Sequence, residues 1–145
     1  VLKQATDATL EGTFGAVGAM RERFLAGEPC DLLILTAAQI EALAAEGLVL
    51  RDAGGPLGVV RTGIAVRKGD PHPAIQDGPA LAAALRAADE IFLADPAKAT
   101  AGIHFAGVIE KLGLRDALAD RLRPHPRGHV AMHALAGSNA RTAIG

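Results

Sequence analysis

The chain alternates short apolar runs with stretches whose apolar residues recur at helical spacing. Residues 31–36, DLLILT, are a continuous apolar run bounded by polar residues, the pattern of a strand buried on both faces and usually parallel. Residues 91–94, IFLA, repeat that pattern, and residues 10–14 are short enough for another strand. Residues 58–67 read as a long strand whose central Gly63 allows a bend or a close backbone approach. A helix is predicted over 17–26, with Val17, Met20, Phe24 and Leu25 on one face and Arg21, Glu22 and Arg23 mostly on the other. A second, over 37–46, is capped by Thr36 and turns Ile40, Leu43 and Ala44 inward. Gly27 and Gly47 stop these two helices. Further helices are expected over 79–88, opened by Pro79, and over 102–112, 114–121 and 130–136.

Between these elements, residues 51–56, RDAGGP, are the best linker candidate, 70–79 a loop punctuated by Pro and Gly, and 123–128 a turn-rich connector. Residues 1–8 carry no clear pattern and read as the tail of a helix, while 143–145 read as the first residues of a strand that is cut off. The chain is therefore expected to be incomplete. Alternating strands and helices predict an α/β fold with mostly parallel sheets flanked by helices.

Composition narrows the partners. Half of the 145 residues are hydrophobic, enough for a packed core, while aromatics are 3% and neither Trp nor Tyr occurs. With 15 basic against 16 acidic residues, there is no basic face and no set of aromatics for stacking bases, so nucleic acid is not an expected partner. Cys30, the one cysteine, excludes an internal disulfide and is expected to be a buried structural thiol ahead of the 32–35 run. No apolar run approaches the roughly 20 residues that span a bilayer, and the protein is expected to be soluble as presented.

Residues 91–113 place a strand, a turn with Asp95-Pro96 and Ala99-Thr100-Ala101-Gly102, and a helix in succession. A small-residue turn at a helix start leaves backbone N–H groups pointing outward at the positive end of the dipole, a generic anion cradle. Residues 10–24 repeat the design, with Gly15, Ala16 and Gly18 opening the helix. Gly12, Gly15 and Gly18 do not have the G-x-G-x-x-G spacing, and no acidic residue closes a strand about 20 residues on, so a dinucleotide is not expected. A tight turn and a polar-ligand cradle both remain open there. Asp95, at a strand's C-terminal end, reads either as a structural Asp-Pro turn or as a general base. His129 and His133 share the i, i+4 spacing of metal ligands, but without a glutamate between them or a cysteine nearby they read as exposed helix histidines, and no metal or cofactor is expected. His72 and His125, each between prolines, are expected in solvent, and His104 packed. Ser138, the one serine, lies in a Gly-Ser-Asn turn, which argues against serine hydrolase chemistry. Lys98, Arg127 and Arg61 could attract an anion.

These residues carry a resemblance. FGAVGAMRERFLAGEPCDLLILTAAQIEALAAEGLV, with Gly27-Glu28-Pro29-Cys30-Asp31-Leu32 as a G-x-P-x-D-[LV] strand, resembles the first lobe of the periplasmic molybdate-binding proteins, type II solute receptors of ABC transporters. ADPAKATAGIHFAGVIEKLG is similar to that family's second-lobe turn, D-P-x-x-x-[PST]-A-G, and the helix ending K-L-G. The resemblance implies a two-lobed fold, with residues 1–58 part of the first lobe and 59–145 a hinge strand and most of the second. It implies a periplasmic protein that holds a small oxyanion in the cleft without covalent chemistry and delivers it to a transporter permease. Carried over by position, the ligand contacts are Gly15, Ala16, Val17 and Gly18, then Ala99, Thr100, Ala101 and Gly102, then His129 and Val130. The first turn lacks the serines usual in that family, leaving backbone donors, while Arg127 and His129 would suit an organic acid or another oxyanion. The alternatives are a ligand-sensing effector domain of a regulator with the same fold, and an enzyme on it using Asp95 or His129.

Overall fold

The computed structural model describes residues 8, 9 and 11–145. Residues 1–7 of the helix tail expected over 1–8, and Leu10 at the head of the first expected strand, lie outside them, and Ala8 is not helical. Three parallel strands form a sheet: β1 (Glu90–Ala94) in the centre, β2 (Leu122–His125) on one side and β3 (Ala143–Ile144) on the other. Ile91 stands opposite Leu122 and Ala94 opposite His125, while Glu90 and Ile91 stand opposite Ala143 and Ile144.

The central strand explains the apolar run IFLA, because both faces of β1 are covered. Side chains alternate along a strand. Ile91 and Leu93 therefore pack on one side, with Leu85, Phe105, Ile109, Leu114 and Leu118. Phe92 packs on the other, with Ala131, Leu135 and Ala143. The first layer comes from α3 (Gly78–Ala87), α4 (Thr100–Lys111) and α5 (Arg115–Leu118), the last continued by a 3₁₀ turn, Ala119–Arg121. The second comes from α6 (Gly128–Ala136). Asp77 caps α3 by accepting the Ala80 amide at 2.8 Å, with Pro79 in the first turn. At the other end of α3, the Arg121 guanidinium donates to the carbonyls of Arg86 (2.6 Å) and Ala88 (3.2 Å), satisfying groups the helix leaves free.

Earlier in the chain, α1 (Val17–Leu25) and α2 (Ala37–Ala45) match their expected spans to within a residue. Each is followed by a glycine with positive φ, Gly27 at 85° and Gly47 at 73°. Val17, Met20 and Phe24 of α1 are half-buried but Leu25 is exposed, and α2 buries Leu43. Thr36 occupies the N-cap of α2, but its side chain makes no capping bond.

Three expected strands are not formed. Residues 11–14, 31–36 and 58–65 have no regular structure, and Leu32 and Ile34 are 70% and 62% exposed. An apolar run becomes a strand only where another strand completes its ladder, and among the described residues no strand pairs with 11–14, 31–36 or 58–64. Without that cover Cys30 is exposed as well, its thiol donating to the Leu32 carbonyl at 3.1 Å. The far end of the expected hinge strand does pair: Ala65 and Gly145 exchange amide–carbonyl bonds of 2.7 and 3.0 Å, and Val66 bridges Ile144 in antiparallel sense. Conversely, the connector expected over 123–128 begins as β2. Its Pro124 is tolerated because β2 is an edge strand, where an N–H facing away from the sheet is not required.

Candidate functional site

Parallel strands bring their carboxyl ends to one edge of the sheet, and there β1 runs into α4 and β2 into α6. The turn from β1 to α4 is built by Asp95. Its Oδ1 accepts the amides of Ala97 (2.8 Å) and Lys98 (3.2 Å), and its carbonyl accepts that of Ala99 (3.0 Å). This matches the structural reading of Asp95, with one carboxylate oxygen engaged by the turn. The helix then lands on the strand end with almost no clearance, at Gly102.

Neither helix start is closed by a side chain. The N-cap residues are Ala99 for α4 and Arg127 for α6, both extended and without a side-chain capping bond. The first amides of α4, at Thr100, Ala101 and Gly102, and of α6, at Gly128, His129 and Val130, therefore have no intrahelical acceptor and lie at the positive ends of two dipoles.

A cleft of about 390 Å³ opens between them. Ala101 and Phe105 of α4 form one wall, and Gly128 and Met132 of α6 another. The floor comes from Phe92, Leu93 and Ala94 of β1 and from Gly145. Residues 62–65, Thr-Gly-Ile-Ala, close the remaining side. That segment is held by the Ala65–Gly145 bonds and by Arg67, whose guanidinium donates to the carbonyls of Ser138 (2.7 Å), Ala140 (2.8 Å) and Arg141 (3.2 Å).

Of the expected contacts, Ala101 lines the cleft directly. Ala99 and Thr100 flank it in the same turn, whereas Gly102 is buried against the strand. His129 and Val130 are exposed in the first turn of α6, beside Gly128, which does line it. Gly15, Ala16, Val17 and Gly18 are outside the lining. Yet a Cβ built on Gly18 would stand 3.5 Å from the Lys98 carbonyl oxygen, so the start of α1 lies against the turn that precedes α4. Its N-cap, Ala16, also lacks a side-chain cap. The structure thus brings the two expected turns side by side.

Several lining residues were not singled out as site residues: Thr62, Ile64, Phe92, Met132 and Gly145. Gly63 carried the one usable signal, a glycine inside an apolar run. Two histidines differ from expectation. His125 ends β2, half-buried, with its ring stacked on Phe92 at 5.9 Å between centroids and 19° between planes. His104 is exposed and borders a second, smaller cavity of about 140 Å³ with Ile75, Leu81 and Val108. His129 and His133 are both exposed, and among the described residues no group of three or more His, Cys, Asp or Glu could hold a metal ion. No helix of the described residues is long and apolar enough to cross a membrane.

A charged cluster sits at the opposite, amino end of β1. Glu90 accepts the Ser138 hydroxyl at 2.7 Å and the Arg123 guanidinium at 3.2 Å. The Ser138 hydrogen bond, followed by Arg123 and with a smaller contribution from Arg67, holds the Glu90 carboxyl below its ordinary range, although partial burial acts the other way. Being remote from the cleft, this cluster ties the 138–141 loop to the sheet.

The family model described as bacterial extracellular solute-binding protein matches residues 2–145 of the chain. No curated protein matches it.

Proposed function

The chain belongs to the bacterial extracellular solute-binding proteins, and we propose that the solute it captures is a small anion, seated between the starts of α4 and α6. The observation that carries this reading is the pair of uncapped helix N-termini on either side of one cleft. Each presents free N–H groups and the equivalent of roughly half a positive charge. A charge bound there is stabilised by fixed dipoles, so no cationic side chain has to line the cleft.

Under this proposal the protein is periplasmic and hands its solute to an ABC transporter permease. Residues 1–58 belong to one lobe and 59–145 to the hinge and the other. The close approach of Gly18 to the Lys98 carbonyl is where the lobes would meet, bringing Gly15, Ala16 and Val17 with the α1 start toward the anion. Contacts from both sides favour the closed state, and that differential affinity is the whole mechanism. Molybdate is one candidate cargo, bound by backbone donors in place of serine hydroxyls. The engagement of Asp95 Oδ1 by its turn supports binding over general-base chemistry.

The test is a melting-temperature screen against molybdate, tungstate, sulfate, phosphate and small carboxylates, repeated on Ala101→Asp. A ligand at 100 times its Kd stabilises by about 2.7 kcal/mol, which is readily seen. An aspartate in the first turn of α4 suits the dipole, contributing about 0.3–1 kcal/mol, so the variant should fold while losing at least tenfold in anion affinity. No response to any anion, or undiminished binding by the variant, would overturn the proposal.

A further inference from the structure

We infer that the captured anion carries an apolar body: a monocarboxylate with a short aliphatic or aromatic chain in place of a bare tetrahedral oxyanion. This rests on the anion-capture reading above and assigns its substrate class. The argument comes from the walls of the cleft. Phe92 and Ala94 form its floor, Phe105 and Met132 face it from α4 and α6, and Ile64 closes it, while Thr62 supplies the one polar side chain among the described lining residues. Among the described residues no charged side chain lines the cleft, so a second negative charge deep inside would meet no partner there.

A tetrahedral oxyanion distributes its charge over four oxygens and needs donors on every side. Here the donors are grouped at the starts of α4 and α6, joined on closure by the start of α1, and oxygens turned toward Phe105 or Met132 would be dehydrated without compensation. A carboxylate has the opposite anatomy. Both oxygens are at one end, where the free amides are, and the carbon chain extends along apolar walls that it covers from water. Size agrees with this. The cleft of about 390 Å³ would hold on the order of a dozen waters at roughly 30 Å³ each, and it falls within the usual range of pockets for organic ligands, about 300–1,000 Å³. The Met132 methyl sits over the floor, since a Cβ built on Gly145 would stand 2.6 Å from Met132 Cε. It is therefore placed to pack on a ligand chain.

Calorimetric titration of the protein with acetate, butyrate, hexanoate and phenylacetate, and in parallel with molybdate, sulfate, succinate and hexanol, tests the assignment. The expected result is affinity rising about fourfold per added methylene, the equivalent of about 0.8 kcal/mol per buried CH₂, with a negative heat-capacity change. Met132→Gln should flatten that series. Hexanol and succinate should bind at least tenfold more weakly than hexanoate. Affinity independent of chain length, or molybdate binding more tightly than every carboxylate, would overturn the apolar body and leave anion capture standing. Hexanol equal to hexanoate would overturn the anionic half instead. Absence of binding across the whole set would remove both.

Discussion

Gly102 meets the carboxyl end of β1 so closely that a Cβ on it would stand 2.3 Å from the carbonyl oxygens of both Ala94 and Asp95. Those atoms are backbone and cannot swing away as a side chain can. The helix start that borders the cleft is therefore fixed by the absence of a single carbon atom, and the free amides of α4 are aimed by a packing contact.

Gly102→Ala is expected to push α4 off the strand at a cost of about 1–3 kcal/mol, as overpacking commonly does. For a chain near this size each kcal/mol lowers the melting temperature by roughly 2–4 °C. Gly107→Ala, in the same helix, is the matched control, because a Cβ there meets nothing within 4 Å. It should stabilise by about 0.5–1 kcal/mol through the helix propensity of alanine. Thermal denaturation of the pair should give shifts of opposite sign. Equal shifts would show that the α4–β1 approach is not tight in solution.

Arg67 holds the cleft's third side by bonding carbonyls of the 138–141 loop and, through Nε, the Asp70 carboxylate at 2.7 Å. Its side chain is only 18% exposed. Charged hydrogen bonds of this kind are each worth about 1.5–3 kcal/mol, so Arg67→Ala should destabilise by about 2 kcal/mol or more. Arg67→Lys should recover only part, because an ammonium cannot span several acceptors as the planar fork does. Amide exchange at Ala65 and Gly145 should accelerate in both variants, and faster in the alanine one. Unchanged exchange would mean that the backbone pair alone keeps residues 62–65 in place.

The sequence pattern reached the centre of the fold more easily than its margins. IFLA and DLLILT look alike, yet only the first became a strand. An apolar run records a demand for burial, while the ladder depends on what lies alongside, and β1 has β2 and β3 beside it. The edge strand β2 was invisible for the converse reason. Arg123, Pro124 and His125 carry no alternation, and their conformation is imposed by the free edge of β1. Helix starts were legible to within about two residues, since they depend on local turn chemistry at Asp95 and Gly128. The neighbourhood of Ala101 could therefore be anticipated as a helix start, and it borders the cleft. Ile64 and Met132 could not be anticipated beside it, because only the tertiary fold carries residues 62–65 over to α6.

Glu90 adds a pH dependence whose sign can be worked out. Its folded-state pKa lies below the ordinary value of 4.5, chiefly through the Ser138 hydroxyl and then Arg123. The unfolded chain therefore takes up a proton at Glu90 before the folded one does. The stabilisation is complete above the unfolded value and is lost as the pH falls through the folded one. Glu90→Gln, which cannot ionise but keeps an acceptor for Ser138, should be less stable than the native protein at neutral pH. The gap between their denaturation midpoints should close as the pH drops below 4.5. Ser138→Ala removes the largest contribution, so its stability should fall less steeply over that same acid range. Parallel curves for the native protein and Glu90→Gln across this range would show that the carboxylate is as well accommodated unfolded as folded, and that the charge on Glu90 does not hold the loop.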